Sequence, residues 1–524
     1  MTMSTEALSA AVAARLRALA ESRLVQRMWE RDPAVWGGDE HTPELTNRLG
    51  WLTVGASMAE HTEALQRLAE DVRTRFDRVV LLGMGGSSLA PDVLWRTFGP
   101  REGYPVFHML DSTAPSAVRS ADGGGDLGRT LFIVASKSGT TVETMSFFQY
   151  FWDRTDRNGQ QFVAITDPGT PLERLAAEQG FVQAFLNPSD IGGRYSALSL
   201  FGLVPAALMG IDVSTLLARA EAMAQRCGPG VAAPDNPGVS LGALMAEAAS
   251  GGRDKLTFVP SPSVESFGLW AEQLIAESTG KQGKGIIPIA SEPMTARPRY
   301  CDDRLFVGIS LSQDASGEHD GRLGDVEGAG HPAVRLSLSD PYEIGAEFFR
   351  WEFATAVAGA VLGVNPFDQP NVAESKQNTK RALSAGGGAK TPRDPRRSGV
   401  VSFTGAVRSG DYVCIQAYLE PCERHDVLLG RLCSALRDRV EAAVTVGYGP
   451  RYLHSTGQLH KGGAPTGHFI QLLDSSEPDV AIPGAPYTFG QLLAAQAAGD
   501  REALTARGRP VISAGMPADL LELL

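Results

Sequence analysis

Cysteine is scarce in this 524-residue chain, and the five present, Cys227, Cys301, Cys414, Cys422 and Cys433, form no C-x-x-C pair. An odd, scattered set offers no disulfide framework and fits a reduced, cytoplasmic protein. Histidine is also sparse: nine residues with no His/Cys cluster at ligand spacing, so no metal site is expected. Basic residues are the minority charge, 48 Lys and Arg against 60 Asp and Glu, for a net charge of −12. That balance argues against nucleic acid or an anionic membrane as the main partner. Any phosphorylated ligand would therefore need a local positive site. Long apolar runs are missing too. Residues 354–364 are too few to span a bilayer and follow Glu352 closely. The opening Met1-Thr2-Met3-Ser4-Thr5-Glu6 lacks the basic stretch and apolar core of a signal peptide.

The length allows two or more domains, and the apolar content of 43% suits globular ones. Residues 1–75 read as helical, with Trp29, Trp36 and Trp51 as packing anchors. From 76 to 230 the pattern repeats strand, turn and helix, with strands at 79–82, 105–110, 131–135, 162–166 and 183–186. A second α/β unit is expected over 231–400, with strands at 255–260, 305–310 and 333–338 and helices at 266–277 and 343–362. A C-terminal α/β extension is expected over 401–524. The fold class is thus α/β, with doubly wound parallel sheets. Residues 314–331, rich in glycine and charge, read as a surface loop. Residues 377–400, with Gly386-Gly387-Gly388, Pro392 and Pro395, read as a flexible solvated linker. Its six basic residues also allow an anion-gathering arm.

Two turns carry chemistry. The apolar run Leu131–Ala135 leads into Ser136-Lys137-Ser138-Gly139-Thr140-Thr141, and a helix opens at Val142-Glu143. Free N–H groups at a helix start, the helix dipole and small hydroxyls all favour an anion. The run Val79–Leu82 leads into Gly83-Met84-Gly85-Gly86-Ser87-Ser88. There Gly86 allows close backbone approach and Ser87 can donate. A dinucleotide fingerprint would end on glycine where Ser88 stands, and only Asp111 offers itself as a ribose ligand. A compact sugar phosphate fits these turns better than a nucleotide.

These two turns resemble the phosphate-site turns of sugar isomerase (SIS) domains. Gly192-Gly193-Arg194-Tyr195-Ser196 resembles the arginine motif of the glucose-6-phosphate isomerase family. Glu272-Gln273-Leu274-Ile275-Ala276-Glu277-Ser278-Thr279-Gly280-Lys281 resembles its glutamate motif, and residues 365–376, ending in Lys376, its lysine motif. Residues beyond about 400, with Gly449–Gly463 and Tyr487–Gln491, look like the tail of the isomerase half of transaldolase–isomerase fusion proteins. The expectation is two SIS-like domains with a C-terminal extension but no preceding transaldolase barrel.

The resemblance implies interconversion of glucose 6-phosphate and fructose 6-phosphate through a cis-enediol, without metal or nucleotide cofactor. It implies Glu277 as the base that moves the carbon-bound proton, and Gln273, one helical turn earlier, as a donor to substrate. It implies Arg194 as the cation beside the enediolate and Lys376 as a helper in ring opening. The phosphate ligands carried over are Ser87, Ser136, Lys137, Ser138, Thr140 and Thr141, with Gly86 as the point of close approach. Glu143 would position substrate or Lys137, its ordinary alternative being a first-turn acid that complements the helix dipole. Family members place a ring-opening histidine between the glutamate and lysine motifs. Here that interval holds only His319 and His331, in unlike contexts. His454, in His454-Ser455-Thr456-Gly457-Gln458-Leu459-His460, is the preferred ring opener and His460 the runner-up. Two rival functions stand: a non-catalytic sugar-phosphate sensor, and an isomerase that also takes mannose 6-phosphate. Homodimerisation and a functional link to a transaldolase stay open.

Overall fold

The apolar runs after residue 77 become parallel strands, and those at 78–82, 130–135 and 162–166 are buried on both faces. The computed structural model describes residues 4–294, 300–314, 317–384, 396–474 and 478–524. β1 (Arg78–Leu82), β2 (Val106–Leu110), β3 (Thr130–Ala135), β4 (Phe162–Thr166) and β5 (Gln183–Leu186) form one sheet in the order β2-β1-β3-β4-β5. All pairings are parallel, with Leu82 level with Leu110 on one side and Val134 on the other. A second sheet has β6 (Lys255–Pro260), β7 (Ile287–Ile289), β8 (Arg304–Leu311) and β9 (Ala333–Leu338) in the order β7-β6-β8-β9. A third has β10 (Tyr412–Tyr418), β11 (Ala443–Tyr448), β12 (Gly467–Leu473) and β13 (Val511–Ala514) in the order β11-β10-β12-β13.

Each sheet places its first strand between its second and third, so the winding direction reverses there. The crevice outside the strand carboxyl ends at such a reversal is the natural ligand position in open α/β sheets. The expected glycine turn follows β1, and the hydroxyl turn follows β3, directly beside it.

The N-terminal helices bind the first two units together. Trp36 is buried and donates its indole N–H to the Ala356 carbonyl at 2.9 Å. Trp29 donates to the Cys227 carbonyl at 3.0 Å. Trp51, fully buried, lies with its ring 5.1 Å from that of Tyr195, next to Arg194. The three tryptophans are packing anchors as expected.

Three local expectations change. Residues 317–328 are helical despite four glycines, because Leu323 and Val326, one turn apart, are buried against the second sheet. Leu323 lies so close over Gly308 that a Cβ there would come within 2.2 Å of it. Here packing outweighs helix propensity. Most described residues of the expected 377–400 linker are also helical, in Val372–Ser384 and Arg397–Ala406, while 385–395 lie outside the described residues. Finally, β7, β11 and the helix Pro237–Ser250 come in addition to the expected elements.

Candidate active site

The glycine turn after β1 is where three segments meet. Gly85 has φ +57°, and a Cβ there would lie 2.8 Å from the His454 carbonyl and 3.1 Å from Gln273 Nε2. A Cβ on Gly86 would lie 2.0 Å from the Gly193 carbonyl. Side chains are excluded at both positions because the arginine turn and the histidine turn close directly on this backbone.

The glutamate motif lies on the helix Phe267–Thr279, buried at every position from Trp270 to Thr279. Gln273 and Glu277 share a face, and Gln273 Nε2 donates to Glu277 Oε2 at 3.1 Å. The same amide donates to the His454 carbonyl at 2.7 Å. Its NH₂ group is therefore engaged, while Gln273 Oε1 is buried without a partner among the described residues. The unengaged atom of this amide is thus its oxygen, an acceptor, whereas the resemblance implies a donor to substrate.

Arg194 Nη1 lies 3.4 Å from Glu277 Oε1, and both side chains are almost fully buried. The rest of the guanidinium is committed. Nε donates to Ser278 Oγ at 2.9 Å and to the Pro366 carbonyl at 3.2 Å. Nη2 donates to the carbonyls of Pro366 at 2.6 Å and Asp368 at 2.9 Å. Only Nη1 faces the carboxylate.

Lys281, two residues past this helix, was not singled out by sequence reading. Its ammonium donates to the carbonyls of Asn365 and Asp368, both at 2.7 Å, and to Asp368 Oδ1 at 2.6 Å. Burial first, and Arg194 second, pull its pKa down to about 8, against the opposing pull of Asp368. Residues 365–368 thus form a cup of carbonyls gripped by two cations. The signal available was the position of Lys281 at the end of the quoted motif. Lys376 lies in the helix Val372–Ser384, and its side chain is outside the described residues.

In the hydroxyl turn, Ser136 Oγ and Thr141 Oγ1 are 2.9 Å apart, and Ser138 Oγ and Thr140 Oγ1 are 3.0 Å apart. Gly139 has φ +66°, the left-handed turn that bends Ser138 and Thr140 outward, and both are exposed. Thr141 is the N-cap of the helix Val142–Arg154, and its side chain makes no capping bond. First-turn N–H groups are thus not taken by that cap. Ser87 is buried in the 3-10 turn after β1. Lys137 is bound elsewhere: its ammonium is 2.5 Å from Asp167 Oδ2 and donates to the Ser189 carbonyl at 3.1 Å.

The histidines separate clearly. His454 closes the turn Arg451–His454 after β11, and its Nε2 is 2.9 Å from Glu143 Oε1. Glu143 therefore faces His454, while the Lys137 ammonium is drawn to Asp167. Its place in the first turn of the helix also stands. Arg451 anchors this turn to the end of β2, with Nε and Nη2 each 2.7 Å from a carboxylate oxygen of Asp111. His460 points into the core, 2% exposed, against the rings of Tyr412, Tyr452 and Phe469. Burial holds its imidazole well below the usual histidine range, so it stays neutral. His319 binds the Val259 carbonyl, and His331 packs on Tyr300 and Phe306. Among the described residues no group of three or more His, Cys, Asp or Glu could hold a metal. No helix among them is long and apolar enough to cross a membrane.

The chain is thus a doubly wound α/β protein with a buried carboxylate–guanidinium pair and, after β3, a hydroxyl turn whose Ser138 and Thr140 are exposed. The family model for phosphoglucose isomerase matches residues 48–284. A glucose-6-phosphate isomerase of Rubrobacter xylanophilus is 31% identical over 371 residues, covering 61% of this chain and 86% of the relative. One of Heliobacterium modesticaldum is 30% identical over 395 residues, covering 63% and 86%. Among solved structures, a hypothetical protein of Thermus thermophilus superposes with TM-score 0.62 at 25% identity, covering 72% of this chain and 97% of that one. A glucose-6-phosphate isomerase of Chlamydia trachomatis shares the fold, with TM-score 0.59 at 20% identity over 73% of this chain and 86% of that one. The chain belongs to the glucose-6-phosphate (phosphoglucose) isomerase family.

Proposed function

We propose that this protein interconverts glucose 6-phosphate and fructose 6-phosphate. The observation that carries the reading is the buried Arg194–Glu277 pair at 3.4 Å, with a single guanidinium nitrogen turned to the carboxylate. A protein that only senses sugar phosphates needs the hydroxyl turn but has no use for that pair. In this reading the phosphate sits at the hydroxyl turn, on Ser136, Ser138, Thr140, Thr141 and the helix N–H groups, with Ser87 and the Gly86 backbone alongside. His454, paired with Glu143, moves the proton between hydroxyl and ring oxygen that opens the sugar. Glu277 takes the proton from C2 and returns it to C1, while Arg194 Nη1 neutralises the enediolate oxygen. Gln273 Oε1 receives a substrate hydroxyl. His460 and Lys137 have no direct part, and Lys281 holds the carbonyl cup that orients Arg194. All five cysteines are unpaired, which supports a reducing, cytoplasmic setting. Homodimerisation and a transaldolase link rest on the resemblance alone. A coupled assay on fructose 6-phosphate tests the activity, and the same assay on mannose 6-phosphate tests its breadth. Tight binding of fructose 6-phosphate with no turnover would favour the sensor.

A further inference from the structure

The C-terminal unit contributes a second residue beneath the histidine turn. Gln496 lies on the helix Phe489–Ala506 and is 2% exposed. Its Nε2 is 2.6 Å from Glu143 Oε1, the same oxygen that faces His454 Nε2 at 2.9 Å. On its other side, Gln496 Oε1 accepts from Thr113 Oγ1 at 2.9 Å. Thr113 is fully buried and follows β2 two residues after Asp111, the anchor of Arg451.

An ionised carboxylate can only accept, so the amide must present its NH₂ group to Glu143. Thr113 stabilises that orientation by donating to the amide oxygen. Glu143 Oε1 accepts a hydrogen bond from Gln496 and keeps only lone pairs to offer, so the facing His454 nitrogen, Nε2, must also be a donor. Nδ1 is then left to exchange a proton with a ligand, and it makes no hydrogen bond among the described residues. We propose that Gln496, backed by Thr113, is the positioning residue of the His454–Glu143 pair, fixing the imidazole tautomer that opens the ring. This inference rests on the reading of His454 as ring opener. The helix itself is held by apolar contacts, including Phe489 stacked 5.8 Å from Phe147. Losing the amide therefore removes two hydrogen bonds, to Glu143 and from Thr113, while the helix stays packed.

The test compares glucose 6-phosphate with a tetrose 4-phosphate, whose phosphorylated O4 cannot close a ring. Gln496→Met should lower kcat on glucose 6-phosphate about ten- to a hundred-fold, the kinetic equivalent of one charge-assisted hydrogen bond. KM and the rate on the tetrose phosphate should stay within a factor of about three, since phosphate binding and the enediol step do not use Gln496. Thr113→Val keeps the side-chain volume, frees the amide to turn over, and should give a smaller loss with the same substrate selectivity. Thr113→Ser restores the hydroxyl and should restore the rate. If Gln496→Met or Thr113→Val slows both substrates alike, or neither, while His454→Ala is selective for the ring, Gln496 is only a packing residue. If His454→Ala itself slows both substrates equally, the ring-opening assignment and this inference fall together. Should Gln496→Met fail to fold, the Thr113→Val and Thr113→Ser pair decides the matter alone.

Discussion

Replacing Arg194 by lysine keeps the charge and removes the fork, so it separates what the guanidinium does from what a cation does. The arginine has three nitrogens with different duties. Nε and Nη2 hold Ser278 and the carbonyls of Pro366 and Asp368, and Nη1 faces Glu277. A lysine has one nitrogen and must choose. Turned to the carbonyl cup, it leaves the enediolate without its donor, a loss of about 10²–10³ in kcat. Turned to Glu277, it strands the buried Pro366 carbonyl, roughly 1–3 kcal/mol of stability. Asp368 keeps its donor from Lys281 in either case. Arg194→Lys should therefore lose about two to three decades of kcat on fructose 6-phosphate or a measurable part of its unfolding free energy in urea, with KM little changed. Lys281→Met should show a smaller kcat loss, because Arg194 still holds Pro366 and Ser278. A variant Arg194→Lys with kcat within threefold of wild type and unchanged stability would remove the guanidinium from both roles and refute the reasoning.

Three further outcomes are expected. Ser138→Ala with Thr141→Ala should weaken a non-reactive sugar phosphate and inorganic phosphate alike by about 1.5–3 kcal/mol per lost charge-assisted bond, and unchanged affinity in isothermal titration would place the anion elsewhere. His460→Ala should cost stability, roughly 2–4 kcal/mol for emptying a large buried site, with turnover per folded molecule little altered. A selective loss of activity on cyclic substrate would restore His460 as ring opener. Glu272 is buried beside Gln273, with Oε2 unpartnered among the described residues, and burial raises its pKa to about 8 against the pull of Arg451. The folded state thus holds a proton that the unfolded state releases above about pH 4.5. Its stabilising contribution is complete below that pH and is lost as pH climbs to about 8, with a slope of at most ~1.4 kcal/mol per pH unit. Glu272→Gln should flatten the fall of melting temperature between pH 5 and 8, and an unchanged slope would mean that Glu272 does not titrate there.

The parts of the fold that were legible are those written in contiguous residues. β1, β3 and β4 are built on the unbroken apolar runs 79–82, 131–135 and 162–165, and the glycine and hydroxyl turns follow β1 and β3 directly. Gln273 and Glu277 are four residues apart, so helical geometry alone puts them on one face. What stayed hidden depends on distant partners. β11 carries Gly447 within it and runs straight into Gly449 and Pro450 of its own turn, so it reads as a loop until β10 pairs with it. The helix 317–328 has a glycine-rich sequence that only the space above Gly308 makes helical. His454 and His460 cannot be ranked by composition, and six residues of chain separate a group over Glu143 from one sealed among aromatic rings. Gln496 reads as one more polar residue of an amphipathic helix, because its partner is 353 positions away.

On the proposed reading of His454 as ring opener, the same geometry explains why that histidine can sit so late in the chain. The third sheet repeats the strand order of the second, with its first strand between its second and third. The segment leaving β11 therefore emerges at a strand carboxyl end, where the first sheet also presents its turns. Docking the two ends against each other requires a polar clamp and an apolar seam. Arg451 on Asp111 supplies the clamp, and Phe489 on Phe147 belongs to the seam. Once docked, the Arg451–His454 turn lies on Gly85, whose missing side chain makes the contact possible. The order of motifs along the chain is thus free to differ, provided the groups meet at the ends of the strands. His454 meets Glu143 from 311 residues away as closely as Gln273 meets Glu277 from four.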